Sequence, residues 1–235
     1  MAPKKPAGKF DLSLVICTYG RTKQLAEIIQ SIRCQAVAPK EIIIVDQNPP
    51  GFLDDLLEDC AGKLNIIHKR VTFTGASKAR NFGASIATSE LIAFPDDDCT
   101  YREDTIKSVI RRFERDDALG VLIAGKDEIL NATAKAKKQV KKNGITEIRT
   151  VLDLFKAKAE TSNIFARKKA LSKLEYIFDV NIGPGKATEW ASNEETDLLV
   201  RLLQKNVLIA KDETIRIIHH SCQGSLKKTL QYGMG

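Results

Sequence analysis

No apolar stretch of this chain approaches the ~20 residues that a membrane-spanning helix needs. The N-terminus, Met-Ala-Pro-Lys-Lys-Pro-Ala-Gly-Lys, contains no hydrophobic h-region, so a secretory signal is not expected there. It reads as a disordered basic tail over residues 1–10. Cysteine is sparse: Cys17, Cys34, Cys60, Cys99 and Cys222 are an odd, scattered set with no Cys-x-x-Cys pair. Reduced thiols in a cytoplasmic protein are the expected state. Aromatic residues make up only 6% of the 235 residues, and none interleaves with the lysines of segment 135–142. Without stacking groups or a recognisable motif, nucleic-acid binding is not expected. No internal repeat is present.

What is present suits one large globular domain. The chain is 43% hydrophobic and 29% charged, with a net charge of +7. The run at 12–17 reads as a strand buried on both faces and 41–45 as a second buried strand, with 65–68, 91–94 and 120–124 as further strands. Between them, residues 22–33, 52–60, 77–87 and 102–115 carry apolar groups at helical spacing. This alternation predicts an α/β fold with a mostly parallel central sheet and helices on both faces. Residues 126–160 are polar and Lys-rich, an excursion with one or two helices. A strand at 163–166, a helix from 168, a loop over 179–193, a helix over 194–205 and strands near 207–210 and 214–219 follow.

Residues 91–100, Leu-Ile-Ala-Phe-Pro-Asp-Asp-Asp-Cys-Thr, end an apolar run in three adjacent carboxylates. Such anions repel by roughly 1 kcal/mol per close pair even in high dielectric. A divalent metal holding a phosphate is the commonest compensation at a strand end of an α/β fold. A capping box, Thr100 with Glu103, would account for one or two of these groups but not three. Ligands in parallel sheets gather at the carboxyl ends of strands, so Thr18-Tyr19, Asp46 and Asp96–Asp98 should share one crevice. Ser192-Asn193-Glu194-Glu195 also fits a capping box, with Ser192 as N-cap. His219 and His220, adjacent on a strand end, must point to opposite sides, so only one can face the crevice. His68 lies far from any motif in sequence and receives no role.

Several segments carry a resemblance in their order: Val-Ile-Cys-Thr-Tyr-Gly-Arg at 15–21, Ile-Ile-Val-Asp at 43–46, and Gly-Ala-Ser-Lys-Ala-Arg-Asn-Phe-Gly at 75–83. Phe-Pro-Asp-Asp-Asp at 94–98, Asn-Ile-Phe-Ala-Arg at 163–167, Gly-Pro-Gly at 183–185, Ser-Asn-Glu-Glu-Thr-Asp-Leu at 192–198 and His219-His220 follow. Together they resemble glycosyltransferase family 2, inverting enzymes with the GT-A fold, over about residues 12–225. The resemblance implies a Rossmann-like nucleotide-sugar half at 11–125, an acceptor-binding and catalytic half at 126–225, and a flexible tail at 226–235. It implies a UDP-sugar donor bound by Thr18, Tyr19, Arg21, Asp46, Lys78, Arg80, Asp96 and Asp97, with Asp46 reading the uracil. Asp98 and His219 would hold Mn2+ or Mg2+, although the triple Asp leaves the ligand open by one position. Glu195, or else Glu194, would be the general base; Glu195 stands where the family more often has Asp. Trp190 and Asp197 would lie on the acceptor side, Asp197 orienting its neighbours.

The acceptor expected from the resemblance is a glycan or lipid-linked hydroxyl, in polysaccharide biosynthesis. Lysines 135–142 suggest peripheral contact with an anionic inner membrane face. Competing readings remain. Asp96-x-Asp98-x-Thr100 also matches the nucleophile motif of haloacid-dehalogenase-type phosphatases. A nucleotidyltransferase would need a Gly-rich loop after the first strand, which 18–24 lacks. A catalytically inactive nucleotide-sugar-binding protein is the non-enzymatic alternative.

Overall fold

The computed structural model describes residues 9–128, 144–184 and 192–219. Trp190, His220, Gly185 and the lysines of 135–142 lie outside the described residues, as do most of both expected tails. In chain order the elements are β1 (Leu12–Thr18), α1 (Lys23–Arg33), β2 (Glu41–Asp46), α2 (Asp54–Cys60), β3 (Ile66–Arg70), α3 (Ala76–Ile86) and β4 (Leu91–Ala93). Then come β5 (Cys99–Tyr101), α4 (Thr105–Arg115), β6 (Leu119–Glu128), β7 (Ile145–Ile148), α5 (Val151–Ala157), β8 (Ile164–Arg167), α6 (Lys168–Leu171), α7 (Glu194–Gln204) and β9 (Leu208–His219). No described helix is long and apolar enough to cross a membrane.

One nine-stranded sheet runs in the order β3-β2-β1-β4-β8-β6-β9-β5, with β7 pairing β9. Strands β3, β2, β1 and β4 are mutually parallel, as the strand–helix alternation requires. Beyond β4 the direction mixes: β8 is antiparallel to β4 and β6, while β6 and β9 are parallel. Alternate residues of each strand feed two apolar layers. Leu14 and Ile16 of β1 pack with α1 and α4 on one face. Val15 packs with α3, α5 and α7 on the other. This two-sided burial explains the unbroken apolar runs.

Gly83 sets how closely α3 lies on the sheet. A Cβ there would fall 2.3 Å from Val15 Cγ1 and 3.1 Å from Val45 Cγ2. Both valines are fully buried and cannot retreat. Gly83→Ala would gain about 1 kcal/mol of helix propensity. Overpacking of this kind typically costs about 1–3 kcal/mol, and a 2.3 Å contact puts the site at the severe end. The net effect expected is a melting temperature lowered by roughly 4–8 °C in a thermal scan; an unchanged value would show that α3 does not need this approach.

Three sequence expectations are corrected. Thr100 does not cap a helix: it lies in β5, paired with Ile218 of β9, and α4 begins later at Thr105 behind Asp104. Sheet pairing outweighs the local capping pattern there, because β5 closes the ladder against β9. The stretch 126–160 is not wholly an excursion, since β6 runs on to Glu128 and β7 adds an edge strand. The two late strands are one, β9, whose irregular register against β6 falls between Ala124 and Gly125.

Candidate functional site

The parallel ladder brings distant residues to one edge. Thr18 ends β1 directly beside Asp46, the last residue of β2. Asp46 is 1% exposed. Its Oδ1 accepts from the Asn48 backbone N–H at 2.9 Å and from Asn48 Nδ2 at 2.7 Å. Its Oδ2 lies 3.0 Å from His68 Nε2, and that ring is 31% exposed. Asn48 Oδ1 in turn accepts from the Gly20 backbone N–H at 2.6 Å, tying the β2 tip to the loop after β1. Tyr19 stands on that loop, 63% exposed.

His68 therefore belongs to the site, contrary to the sequence reading. The available signal was register. His68 pairs with Ile44 in the parallel β2–β3 ladder, so it shares a face with Asp46 two residues on.

The aspartate trio divides its work. Asp97 is buried; its Oδ2 accepts from Thr18 Oγ1 at 2.8 Å and its Oδ1 from Arg21 Nη1 at 2.7 Å. The same Arg21 nitrogen reaches Asp98 Oδ2 at 2.5 Å. Burial raises the Asp97 pKa more than Arg21 and Thr18 lower it. Burial also pushes Asp98 upward, but His219 and Arg21 outweigh it, so Asp98 is held below the usual carboxylate range.

His219 Nε2 lies 3.5 Å from Asp98 Oδ1, and the adjacent carboxylate raises the imidazole pKa. Asp96, Asp98 and His219 each present a ligand atom, all within 4.8 Å of one another. Two carboxylates and an imidazole fit a hard-to-borderline divalent cation such as Mn2+ or Mg2+. Asp97, committed to Thr18 and Arg21, stands outside this group.

Arg80, on α3, links this cluster to the acidic start of α7. Its Nη1 donates to Glu194 Oε1 at 2.8 Å and its Nη2 to Asp96 Oδ1 at 2.8 Å. Nη2 also lies 3.1 Å from Thr161 Oγ1. Thr161 had no sequence signal of its own beyond lying two residues before the Asn163 motif. Burial lowers the guanidinium pKa, but Asp96 and Glu194 more than compensate, so Arg80 stays charged. Burial pushes the neighbouring Cys17 thiol up to about 12, leaving it protonated. Lys78, between buried Ser77 and Ala79, is exposed, its ammonium 4.5 Å from the centre of the Phe73 ring.

The capping box expected at Ser192 is not formed. Asn193 is the N-cap, in the left-handed region at φ 75°, and no side chain caps the helix. Asn tolerates that conformation better than most residues. Glu194 is buried, its carboxylate against Gly183, where a Cβ would meet Glu194 Cδ at 3.2 Å. Gly183 has φ +108°, so a side chain there would be disfavoured twice over. Glu195 is raised to about 7, first by burial and then by the charge of Glu194. A carboxyl group with a pKa near neutrality can accept a proton and release it under the same conditions. Asp197 turns along its own helix: its Oδ2 accepts from Arg201 Nε at 2.9 Å and Nη2 at 2.6 Å. Arg201 also donates to the carbonyls of Tyr176 and Ile177, so Asp197 braces the loop before the helix.

A sequence profile for the family described as Glycosyl transferase family 2 matches residues 13–174. Among curated proteins, a glucosyl-dolichyl phosphate glucuronosyltransferase from Haloferax volcanii is 32% identical over 116 residues, 47% of this chain and 36% of that protein. Glycosyltransferase GlyG from Streptococcus pneumoniae is 29% identical over 113 residues, 46% of this chain and 36% of that protein. The match thus spans only about a third of each relative. The crystal structure of S. aureus TarS 1–349 in complex with UDP-GlcNAc superposes with a TM-score of 0.71 at 19% identity, covering 93% of this chain and 61% of that one. At that identity the likeness establishes the fold, a GT-A-type α/β arrangement. The phosphatase reading falls with these matches; three strands, rather than none, also precede the strand that leads into the aspartates.

Proposed function

The chain belongs to glycosyl transferase family 2, and from that premise we propose that it moves a sugar from a UDP-sugar to a hydroxyl of a glycan or lipid-linked acceptor, with inversion at the anomeric carbon. The observation that carries this reading is one continuous set of contacts. It joins the Asp96–Asp98–His219 cluster to the Glu194–Glu195 turn and to the strand tip at Asp46.

In this reading Asp46 accepts the N3–H of uracil, with His68 and Asn48 holding the carboxylate in place. Tyr19 stacks on the base from the loop above. Thr18, Arg21 and Asp97 brace the cluster beside the ribose, and Lys78 offers charge to the diphosphate. Asp96, Asp98 and His219 hold Mn2+ or Mg2+, which supplies charge neutralisation to the departing diphosphate. Glu195 accepts the acceptor hydroxyl proton as that oxygen bonds to C1 and the C1–O bond to the diphosphate breaks. Residues 11–125 supply the donor half and 126–225 the acceptor half, including Trp190. The setting is cytoplasmic, in polysaccharide or lipid-linked glycan synthesis, with the +7 chain at an anionic membrane face.

A donor screen tests the reading. Melting is followed with UDP-, GDP-, CMP- and dTDP-sugars, each with Mn2+ and with chelator. A ligand at ~100-fold its Kd adds about 2.7 kcal/mol, roughly 5–10 °C for a domain of this size. That shift is expected for a UDP-sugar with Mn2+ and is expected to vanish with chelator. A larger shift with another nucleotide would overturn the uracil assignment, and no shift with any would overturn donor binding.

A further inference from the structure

Arg80 is more deeply buried than Arg21, the other arginine of the site. It is 7% exposed, yet it lies between two carboxylates that are far apart in sequence, on the β4 tip and at the start of α7. Each terminal nitrogen is engaged: Nη1 by Glu194, and Nη2 by Asp96 and by Thr161, whose hydroxyl is also 3.1 Å from Asp96 Oδ1. Its guanidinium carbon lies 5.6 Å from the centre of the Phe178 ring, which occupies a further side. With both terminal nitrogens committed and the residue 7% exposed, the guanidinium offers little to an incoming phosphate, whereas it fixes two anions at a set spacing.

The geometry points to Arg80 as a positioning residue. It clamps the first turn of α7 to the aspartate cluster through Glu194, and so sets where Glu195 stands relative to the donor; it does not ligate the diphosphate. Glu194, in turn, is the anchor of the clamp and not a base. The inference rests on the proposed transferase reading, and it replaces the diphosphate role that the sequence resemblance implied for Arg80.

The physical reason is mechanical. Asn193 enters α7 without a side-chain cap, so no capping side chain helps to fix its first turn. The fixing is done instead by Glu194, held by Arg80 and backed by Gly183. A lysine at position 80 keeps the charge but has no planar fork, so it cannot hold the two carboxylates at the spacing the guanidinium sets. A displacement of ~1 Å in a reacting group can cost ~100-fold in rate.

The test compares Arg80→Lys and Thr161→Val with the parent chain. Binding is read as the Kd for UDP with Mn2+. Turnover is read as UDP released, with water as acceptor, from the UDP-sugar that gives the largest shift in the donor screen. Arg80→Lys is expected to keep the Kd within ~3-fold and to lower kcat ~100-fold. Thr161→Val, which leaves the fork on its two carboxylates, is expected to lower kcat less, by ~3–10-fold, at unchanged Kd. A Kd that rises in step with the loss of kcat/KM, at unchanged kcat, would restore Arg80 to the diphosphate and overturn the clamp. Melting of Arg80→Lys, Glu194→Gln and the double variant gives a readout independent of activity. The clamp predicts that the two single losses do not add, and additive losses would overturn it. If the parent chain binds no UDP, the transferase reading fails while this cycle still decides the clamp.

Discussion

Glu195→Gln is expected to keep UDP–Mn2+ binding and to lose turnover by ~10²–10⁴-fold, the range supplied by a positioned general base. Gln has nearly the shape of Glu and cannot take a proton. With water as acceptor, UDP release should fall while the thermal shift with UDP-sugar persists; retained turnover would remove Glu195 from the role. The pH dependence carries a second check. Burial and the Glu194 charge raise Glu195 to about 7, so the carboxylate needed for proton abstraction is lost as pH falls through that value. The rate of the parent chain should therefore rise with pH through about 7 and then level. Stability runs the other way. Below the unfolded pKa both states hold the proton; between about 4.5 and 7 only the folded state keeps it, so this group's contribution to stability declines as pH rises across that window. At pH 8 an ionised, half-buried Glu195 costs up to roughly 3 kcal/mol. Glu195→Gln should accordingly melt higher than the parent at pH 8 and not at pH 4, a stability gain bought with activity.

Asp98→Ala is expected to abolish the Mn2+-dependent part of donor binding and to lower turnover by ~10³-fold or more. Metal stabilisation of leaving-group charge is worth several kcal/mol, and about 4 kcal/mol corresponds to ~10³ in rate. Asp98 shares the Arg21 nitrogen with Asp97 but presents its other oxygen to His219, whereas Asp97 gives its two oxygens to Thr18 and Arg21. The two neighbouring substitutions should therefore differ in kind. Asp98→Ala gives up the Arg21 and His219 contacts, so it should lower melting without ligand, but it alone of the two should remove the difference between Mn2+ and chelator in the donor screen. Asp97→Ala should lower melting without ligand, because it strips a buried acceptor from both Thr18 and Arg21. The assignment fails if the Mn2+-dependent shift survives in Asp98→Ala.

Much of this site was legible in the sequence because parallel strands impose a rule. Their carboxyl ends meet at one edge, so Thr18, Asp46 and the aspartates had to converge whatever the loops did. The helices α1, α4 and α7 were readable because each buries an apolar stripe on the sheet, and α3 because small residues line one of its sides. The roles of Asp96, Asp97 and Asp98 were not readable. Three identical residues in a row differ only in which neighbours their carboxylates meet. His68 was missed because its importance lies in a register, and β7 because Ile145-Thr-Glu-Ile148 is short and its two apolar residues do not follow the alternation of a strand.

By itself, then, the sequence determined the α/β alternation, the acidic strand end and the family motifs in their order. These are set by local periodicity and by residue identity, which need no partner to be read. Tertiary structure alone decided that Arg80 sits between Asp96 and Glu194, that Asp98 and not Asp97 faces His219, and that Glu195 is buried enough to rise to about 7. Desolvation and ion pairing depend on distances between segments far apart in the chain, and those distances exist only once the sheet has closed around them.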